Sequence, residues 1–109
     1  MEKRKPHYEL KKIKDLFCCT ETRVITTTAR KGAVLMGYMD DEDIQHAINQ
    51  LCSEHFYKSM TAYHDHRVWQ DVYIYPAEEE KESLYVKLQL SVDGKKAVLI
   101  QMKKNEEKN

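Results

Sequence analysis

The sequence lacks any long apolar run. No stretch of its 109 residues approaches the roughly 20 consecutive apolar residues that span a bilayer. Residues 1–14 are charged throughout and do not contain the apolar segment of a signal peptide. Membrane-spanning and exported classes are therefore not expected, and we predict a cytoplasmic protein with no membrane partner.

Cysteine is scarce, and its spacing fits neither a disulfide framework nor a zinc site. Cys18, Cys19 and Cys52 make an odd count without a Cys-x-x-Cys pair. Adjacent cysteines rarely share a disulfide or chelate one metal ion. We therefore predict free thiols, no metal site and no other cofactor.

Net charge is also absent, because 18 basic residues balance 18 acidic ones. A nucleic-acid-binding protein is usually basic overall, since contacts with phosphates dominate its affinity. Here acids gather at residues 40–43 and 78–80, and basic residues load both ends of the chain. The basic residues at the ends are Lys3, Arg4, Lys5, Lys11, Lys12, Lys14, Lys95, Lys96, Lys103, Lys104 and Lys108. A basic face forms if the two ends meet; otherwise these residues are a solvated surface.

The apolar residues that are present suffice for one small core. Hydrophobic residues make up 41% of the chain and charged residues 33%, which is typical of one compact domain. The sequence has no internal repeat, and its low-complexity part is the Lys/Glu/Asn-rich end. We predict one domain over residues 1–103 and a charged flexible tail over residues 104–109.

Two amphipathic helices are predicted from apolar spacing. In residues 8–17, apolar side chains recur at helical intervals with lysines between them. Asp40 or Asp41 can cap a second helix, with further acids favourably placed near its positive end. The predicted buried face of this second helix consists of Ile44, Ala47, Ile48 and Leu51.

Two other segments are predicted as short helices. Ser53 can cap a helix that reaches residue 61 and projects Lys58, because Phe56 and Met60 are four residues apart. Residues 29–39 carry two glycines and no clean period, so a short helix and a loop are predicted there.

Four strands are predicted. Residues 23–28 are dense in β-branched side chains, which suit a pleated sheet. Residues 68–75, 84–91 and 96–103 have the composition of strands, with a polar loop over residues 77–82. Because helices precede a largely antiparallel twisted sheet, the predicted fold class is α+β.

The last hairpin decides which side chains share a face of the sheet. A two-residue Asp93-Gly94 loop would place Leu84 opposite Lys103 and mix charge into the apolar face. A three-residue loop that adds Val92, with glycine in the left-handed conformation, makes the apolar face continuous. This register pairs Leu84 with Met102, Val86 with Ile100 and Leu88 with Val98, and on the other face it places Tyr85 opposite Gln101, with Lys103 and Lys87 nearby.

Two central motifs resemble the signature of MqsR toxins, a family within the RelE-like group. The motifs are Phe56-Tyr57-Lys58-Ser59-Met60-Thr61, followed by Tyr63, Asp65 and His66, and Trp69-Gln70-Asp71-Val72-Tyr73. The segments Met1-Glu2-Lys3-Arg4 and Pro6-His7 are similar to that family's N-terminus. The resemblance covers nearly the full chain.

The resemblance implies a RelE-like fold and endoribonuclease activity on mRNA, at short GC-containing sites such as GCU. It also implies neutralisation by a zinc-binding, helix-turn-helix antitoxin of the MqsA kind. The family's catalytic residues correspond here to Lys58, Gln70, Tyr85 and Lys103. Whether the mRNA is free or ribosome-bound stays open.

The chain departs from the family pattern after the second motif. Where the family continues with Arg-Pro, this chain has Ile74, Tyr75 and then Pro76. A phosphate-binding arginine is then missing, and Arg67 or Lys87 is the expected substitute. Residues 23–37 match loosely and the loop at residues 78–80 is more acidic, which affects cleavage preference and antitoxin fit.

Metal-free RNA cleavage needs a base for the 2′-hydroxyl, positive charge near the phosphorane and an acid for the 5′-oxygen. A lysine acts as a base only where desolvation or positive charge lowers its pKa from about 10.4, and Lys103 is expected to do this for Lys58. The hypothesis is that Lys58 or Tyr85 transfers protons, Lys103 stabilises the phosphate, and Gln70 orients the nucleotide. The predicted contacts with RNA bases are Tyr57, Met60 and Tyr63.

Two rival functions stay open. In the first, the protein is a non-enzymatic module that binds RNA or a protein with a basic face of the sheet. Substitutions of Lys58, Tyr85 or Lys103 would then weaken binding without a separate loss of cleavage. In the second, a metal-dependent nuclease uses His64, Asp65 and His66, although two histidines one residue apart supply only two ligands. Cleavage that survives a chelator argues against the second.

Overall fold

Three α-helices pack on one face of a six-stranded sheet in the computed structural model, which describes residues 1–76 and 82–106. The helices are α1 (Leu10–Phe17), α2 (Thr27–Leu35) and α3 (Asp41–Gln50). The strands are β1 (Glu2–Lys3), β2 (Arg23–Ile25), β3 (Phe56–Thr61), β4 (Trp69–Tyr75), β5 (Leu84–Leu90) and β6 (Ala97–Lys104). They lie in the order β1-β3-β4-β5-β6-β2, antiparallel except that β2 runs parallel to β6. The predicted α+β class is confirmed.

Two of the predicted helices form where apolar spacing placed them. Ile13 and Phe17 of α1 are buried, with lysines on the outer side. Asp40 caps α3, because its side chain accepts a hydrogen bond from the Asp43 amide at 2.9 Å. The predicted inner face of α3, Ile44, Ala47, Ile48 and Leu51, is buried in the core. Among the described residues, no helix has the length and apolarity to cross a bilayer.

The strand predicted over residues 23–28 was too long. It ends at Ile25, and α2 begins two residues later. The cause is Thr26, whose hydroxyl accepts a hydrogen bond from the Ala29 amide at 3.1 Å and caps the helix. The run of β-branched residues is therefore divided between an edge strand and a helix start.

The helix predicted from residue 53 to residue 61 was wrong. A single 3₁₀ turn, Ser53–His55, leads directly into β3. Because β3 pairs with β1 on one side and with β4 on the other, sheet pairing overrides the local four-residue spacing of Phe56 and Met60. Lys58 therefore lies on a strand.

The register predicted for the β5–β6 hairpin was also wrong. The loop is closed by Ser91 and Lys96, with Gly94 in the expected left-handed conformation at φ 73°. The first pairs follow the register of the shorter loop, and a β-bulge at Ile100 then shifts them. The resulting partners are Leu88 with Leu99, Val86 with Met102, and Tyr85 with Lys103. The bulge thus keeps the apolar face continuous and sets Tyr85 directly opposite Lys103.

The predicted domain and tail boundaries remain predictions. The strand β6 runs through Lys104, one residue into the predicted tail. Residues 77–81 of the predicted acidic loop and residues 107–109 of the tail, including Lys108, lie outside the described residues.

Candidate functional site

The strands present different side chains on their two faces. The core takes Tyr73 from β4 and Leu84, Val86 and Leu88 from β5, and side chains alternate along a strand. The intervening residues therefore point away from the helices. We call this second surface the open face; its residues are Lys58, Met60, Gln70, Val72, Ile74, Tyr85, Lys87, Gln89, Gln101 and Lys103.

Strand pairing arranges the open face in rows, because directly paired residues point to the same side. One row runs Lys58, Val72, Lys87 and Gln101 across four strands, and the next runs Ile74, Tyr85 and Lys103. The four catalytic candidates carried over from the family, Lys58, Gln70, Tyr85 and Lys103, all lie on this face. The structure therefore brings together residues that are far apart in sequence.

Tyr85 lies at the centre of the open face beneath two lysines. The Nζ atom of Lys103 is 5.0 Å from the centroid of the Tyr85 ring, and that of Lys87 is 5.8 Å away. These are cation–π distances, and they leave Tyr85 only 5% exposed. Two positive charges and one phenol are thus placed side by side.

Lys58 has a carboxylate as its neighbour. Its Nζ donates a hydrogen bond to Oε2 of Glu2 at 2.8 Å, and its side chain is 13% exposed. The hydrogen bond and the charge of Lys58 hold the pKa of Glu2 below its usual value. Lys103 was expected beside Lys58, but β3 and β6 are three strands apart, or about 14 Å between backbones. The predicted repulsion between these two lysines is therefore not the local environment of Lys58.

Gln70 is held by a second amide. Its Nε2 donates to Oε1 of Gln89 on β5 at 2.8 Å, and Gln70 is buried. Met60 pairs with Gln70 across β3 and β4. The amide pair extends the polar surface toward the turn between β3 and β4.

This turn, residues 62–68, carries the most exposed of the predicted RNA contacts. Tyr63 is 88% exposed and meets His64 edge-on at 5.0 Å. Arg67 is bound to Asp65 at 3.0 Å, which raises the pKa of Arg67 and lowers that of Asp65. Asp65 is thus engaged with a cation, and no cluster of three or more His, Cys, Asp or Glu side chains suited to a metal occurs within residues 1–76 and 82–106.

Residues 4–9, between β1 and α1, are hydrogen-bonded to the sheet through His7 and Tyr8. The carboxylate of Asp71, which is fully buried, accepts hydrogen bonds from the amides of His7 and Tyr8 at 2.9–3.0 Å and from the Ser59 hydroxyl at 2.6 Å. Glu2 pairs with Met60 and therefore lies on the open face. Strand β1 supplies the partner of Lys58.

The basic face predicted from the two chain ends does not form as expected. Lys3 pairs with Ser59, on the helix side, and its Nζ is 4.2 Å from the centroid of the Trp69 ring. Arg4 donates to the carbonyl oxygen of Tyr57 at 3.3 Å, and its guanidinium lies 5.7 Å from that ring. Positive charge on the open face comes from Lys103 of the C-terminal end and from Lys58 and Lys87, which belong to neither end.

Sequence reasoning missed two polar members of this surface: Glu2 and Gln89. The alternation of Tyr85, Lys87 and Gln89 along β5 was a readable signal for Gln89. Glu2 had no such signal, because its position depends on pairing between strands 56 residues apart.

Comparisons with known proteins agree on one family. A family model described as motility quorum-sensing regulator, toxin of MqsA, matches residues 5–104. The mRNA interferase toxin MqsR of Escherichia coli (strain K12) is 42% identical over 73 residues, which are 67% of this chain and 72% of that protein.

Proposed function

The chain belongs to the MqsR toxin family, and from this membership we propose that it is an mRNA interferase, an endoribonuclease whose cleavage of mRNA inhibits translation and growth. Its relative from Escherichia coli carries that name. The observation that carries the proposal is the open face, where Lys58, Tyr85 and Lys103 share one surface with Gln70. We place its action in the cytoplasm, where its substrate is found.

The proposed reaction is attack by the 2′-oxygen of the RNA, without a metal ion. A base removes the 2′-hydroxyl proton, the 2′-oxygen bonds to phosphorus, and the bond from phosphorus to the 5′-oxygen breaks as that oxygen gains a proton. The products are a 2′,3′-cyclic phosphate and a 5′-hydroxyl. Lys58 or Tyr85 is the proposed proton-transfer group, and Lys103 stabilises the negative charge of the phosphorane.

Other residues of the open face, together with Tyr57 and the turn between β3 and β4, would bind RNA around the cut. Lys87 lies beside Tyr85 and can contact a phosphate without displacing Lys103. Gln70 and Gln89 offer amide donors and acceptors to a base. Tyr57 and Met60 border Lys58, and Tyr63 is exposed for stacking, with Arg67 as a further cation. Preference for a short GC-containing site such as GCU is proposed from the family alone.

An antitoxin of the MqsA kind is the proposed regulator. The matching family model is described as the toxin of MqsA, which supports such a partner. Its zinc-binding and helix-turn-helix features are proposed by resemblance. Co-expression with a neighbouring small reading frame of that type should yield a stable complex and relieve growth inhibition.

The testing experiment is cleavage of a defined mRNA in excess EDTA, with cut sites mapped by primer extension. We expect discrete cuts at GC-containing sites by the wild-type chain, and loss of about 100-fold or more in Lys58→Ala and Lys103→Ala. Lys104→Ala is the matched control, since Lys104 is the next residue of β6, pairs with Leu84 on the helix side and is exposed. It should cut like wild type.

The other outcomes separate the rivals. Cleavage abolished by EDTA and restored by a divalent metal would favour the site at His64, Asp65 and His66. Cleavage only when ribosomes are added would make ribosome-bound mRNA the substrate. RNA binding without cleavage in either condition would favour the binding module.

A further inference from the structure

Lys58 contacts the carboxylate of Glu2, a residue to which the family resemblance assigns no role. We propose that Glu2 is a positioning residue of the ribonuclease site, which keeps Lys58 charged and fixes its ammonium group on the open face. Lys58 then acts as a cation on the scissile phosphate, and Tyr85 takes the proton of the 2′-hydroxyl and returns it to the departing 5′-oxygen. The inference rests on the proposed ribonuclease function and refines the roles within it.

The first support is the geometry of the pair. Glu2 and Lys58 lie on neighbouring strands and on the same face, with Oε2 2.8 Å from Nζ. The Lys58 side chain is 13% exposed and that of Glu2 is 50% exposed. The lysine is thus the enclosed partner, and the carboxylate fixes the end of a long side chain that otherwise has many rotamers.

The second support is that Glu2 occupies a built position. The Thr61 amide donates to the carbonyl oxygen of Met1 at 2.9 Å, on the edge of β3. Further along the segment, the amides of His7 and Tyr8 are held by the buried carboxylate of Asp71. The position of Glu2 is therefore fixed by the backbone hydrogen bond of Met1 before it in the chain and by the hydrogen bonds to Asp71 after it.

The third support is chemical. A carboxylate in contact with an ammonium stabilises the charged lysine, which is the form that stabilises a phosphorane and not the form that accepts a proton. Tyr85 lies in the adjoining row, beside Lys103. A division into one proton-transfer residue and one cation fits this arrangement.

The test compares Glu2→Gln, Glu2→Asp and a control in steady-state cleavage of one RNA. We expect kcat of Glu2→Gln to fall about tenfold while KM stays equal or falls, because the substitution removes a negative charge from an RNA-binding face. Glu2→Asp keeps the charge and should lie nearer to wild type. Glu9→Gln removes the same charge from an exposed residue whose side chain caps nothing, and it should leave both constants unchanged.

The outcomes distinguish this inference from the proposed function. If the wild-type chain does not cut RNA, the ribonuclease proposal itself fails. If wild type and Lys58→Ala behave as proposed but Glu2→Gln has wild-type or higher kcat, the positioning role of Glu2 is overturned. Higher kcat would identify Lys58 as the base that Glu2 restrains. Thermal melts of each variant by circular dichroism confirm that equal amounts of folded protein are compared.

Discussion

The two faces of the same sheet are built for different tasks. On the helix-covered face, Leu88, Leu99 and Met102 are fully buried in the core. On the open face, the neighbours of Leu88 and Met102 in sequence are polar or charged, including Lys87 and Lys103. Because alternate residues of one strand point to opposite sides, stability and chemistry are encoded in the same few strands and can be separated by substitution.

Two tyrosines on neighbouring strands make the contrast concrete. Tyr73 of β4 points into the core, where burial, together with the charge of Asp71, raises its pKa to about 12. Tyr85 of β5 points to the open face and has the ammonium groups of Lys103 and Lys87 against its ring. The first phenol is suited to packing and the second to contact with a charged substrate.

The largest expected effect comes from two neighbours on β5, Lys87 and Leu88. Leu88→Ala should lower the free energy of unfolding by about 2–5 kcal/mol, because it leaves a cavity in a closed core. Lys87→Met keeps most of the side-chain stem and should change stability by less than about 0.5 kcal/mol, yet weaken RNA binding and reduce its salt dependence by about one counterion. Urea unfolding and RNA binding at several salt concentrations measure both.

The contrast between the two faces would be wrong if Leu88→Ala also weakened RNA binding or if Lys87→Met also destabilised the protein. Leu88→Ala, once corrected for its folded fraction, should bind RNA like wild type. A loss of RNA affinity in the folded Leu88→Ala protein would mean that the two faces are coupled through the strand.

Sequence reasoning predicted the covered face better than the edges of the sheet. The buried residues of α1 and α3 follow from helical periodicity, which a single segment carries by itself. The strand identity of residues 56–61 and the bulge at Ile100 depend on pairing with distant strands, which no local pattern specifies. The family motif pointed to Lys58, Gln70, Tyr85 and Lys103 as candidates. It did not predict that Lys58 would pair with Glu2 and lie three strands from Lys103.

A smaller effect is expected where α2 meets the backbone of β6 at Met102. A Cβ added at Gly32 would lie 2.1 Å from the carbonyl oxygen of Met102. Alanine ordinarily favours a helix over glycine by about 1 kcal/mol, but here the clash is with backbone. Gly32→Ala should therefore destabilise the protein by about 1–3 kcal/mol, measured by urea unfolding. Increased stability would mean that α2 does not contact β6 so closely.

The smallest expected effect is a pH dependence of stability that involves His7, on the helix side of the sheet. His7 stacks on Trp69 at 5.6 Å and has Lys3 Nζ 2.9 Å from its Nδ1. Desolvation, followed by the charge of Lys3, lowers the pKa of His7 below 6.5. As pH falls, His7 therefore gains a proton in the unfolded chain before it does so in the folded protein. Neutral His7 thus adds to the free energy of unfolding above pH 6.5, and this addition is lost as pH falls through the pKa of His7 in the folded protein. Because His7 is exposed, the loss should be at most about a few tenths of a kcal/mol.

The variant His7→Gln isolates this contribution, because the bonds to Asp71 come from the backbone amides of residues 7 and 8 and survive the change. Urea midpoints of wild type and variant should be measured at pH 7.5 and 5.5. The wild-type midpoint should fall slightly more than that of the variant, since every other titrating group is common to both proteins. RNA cleavage should respond to pH equally in the two proteins, because His7 lies on the opposite side of the sheet from Tyr85. A cleavage profile altered by His7→Gln would show instead that the segment carrying Glu2 transmits the charge of His7 to the open face.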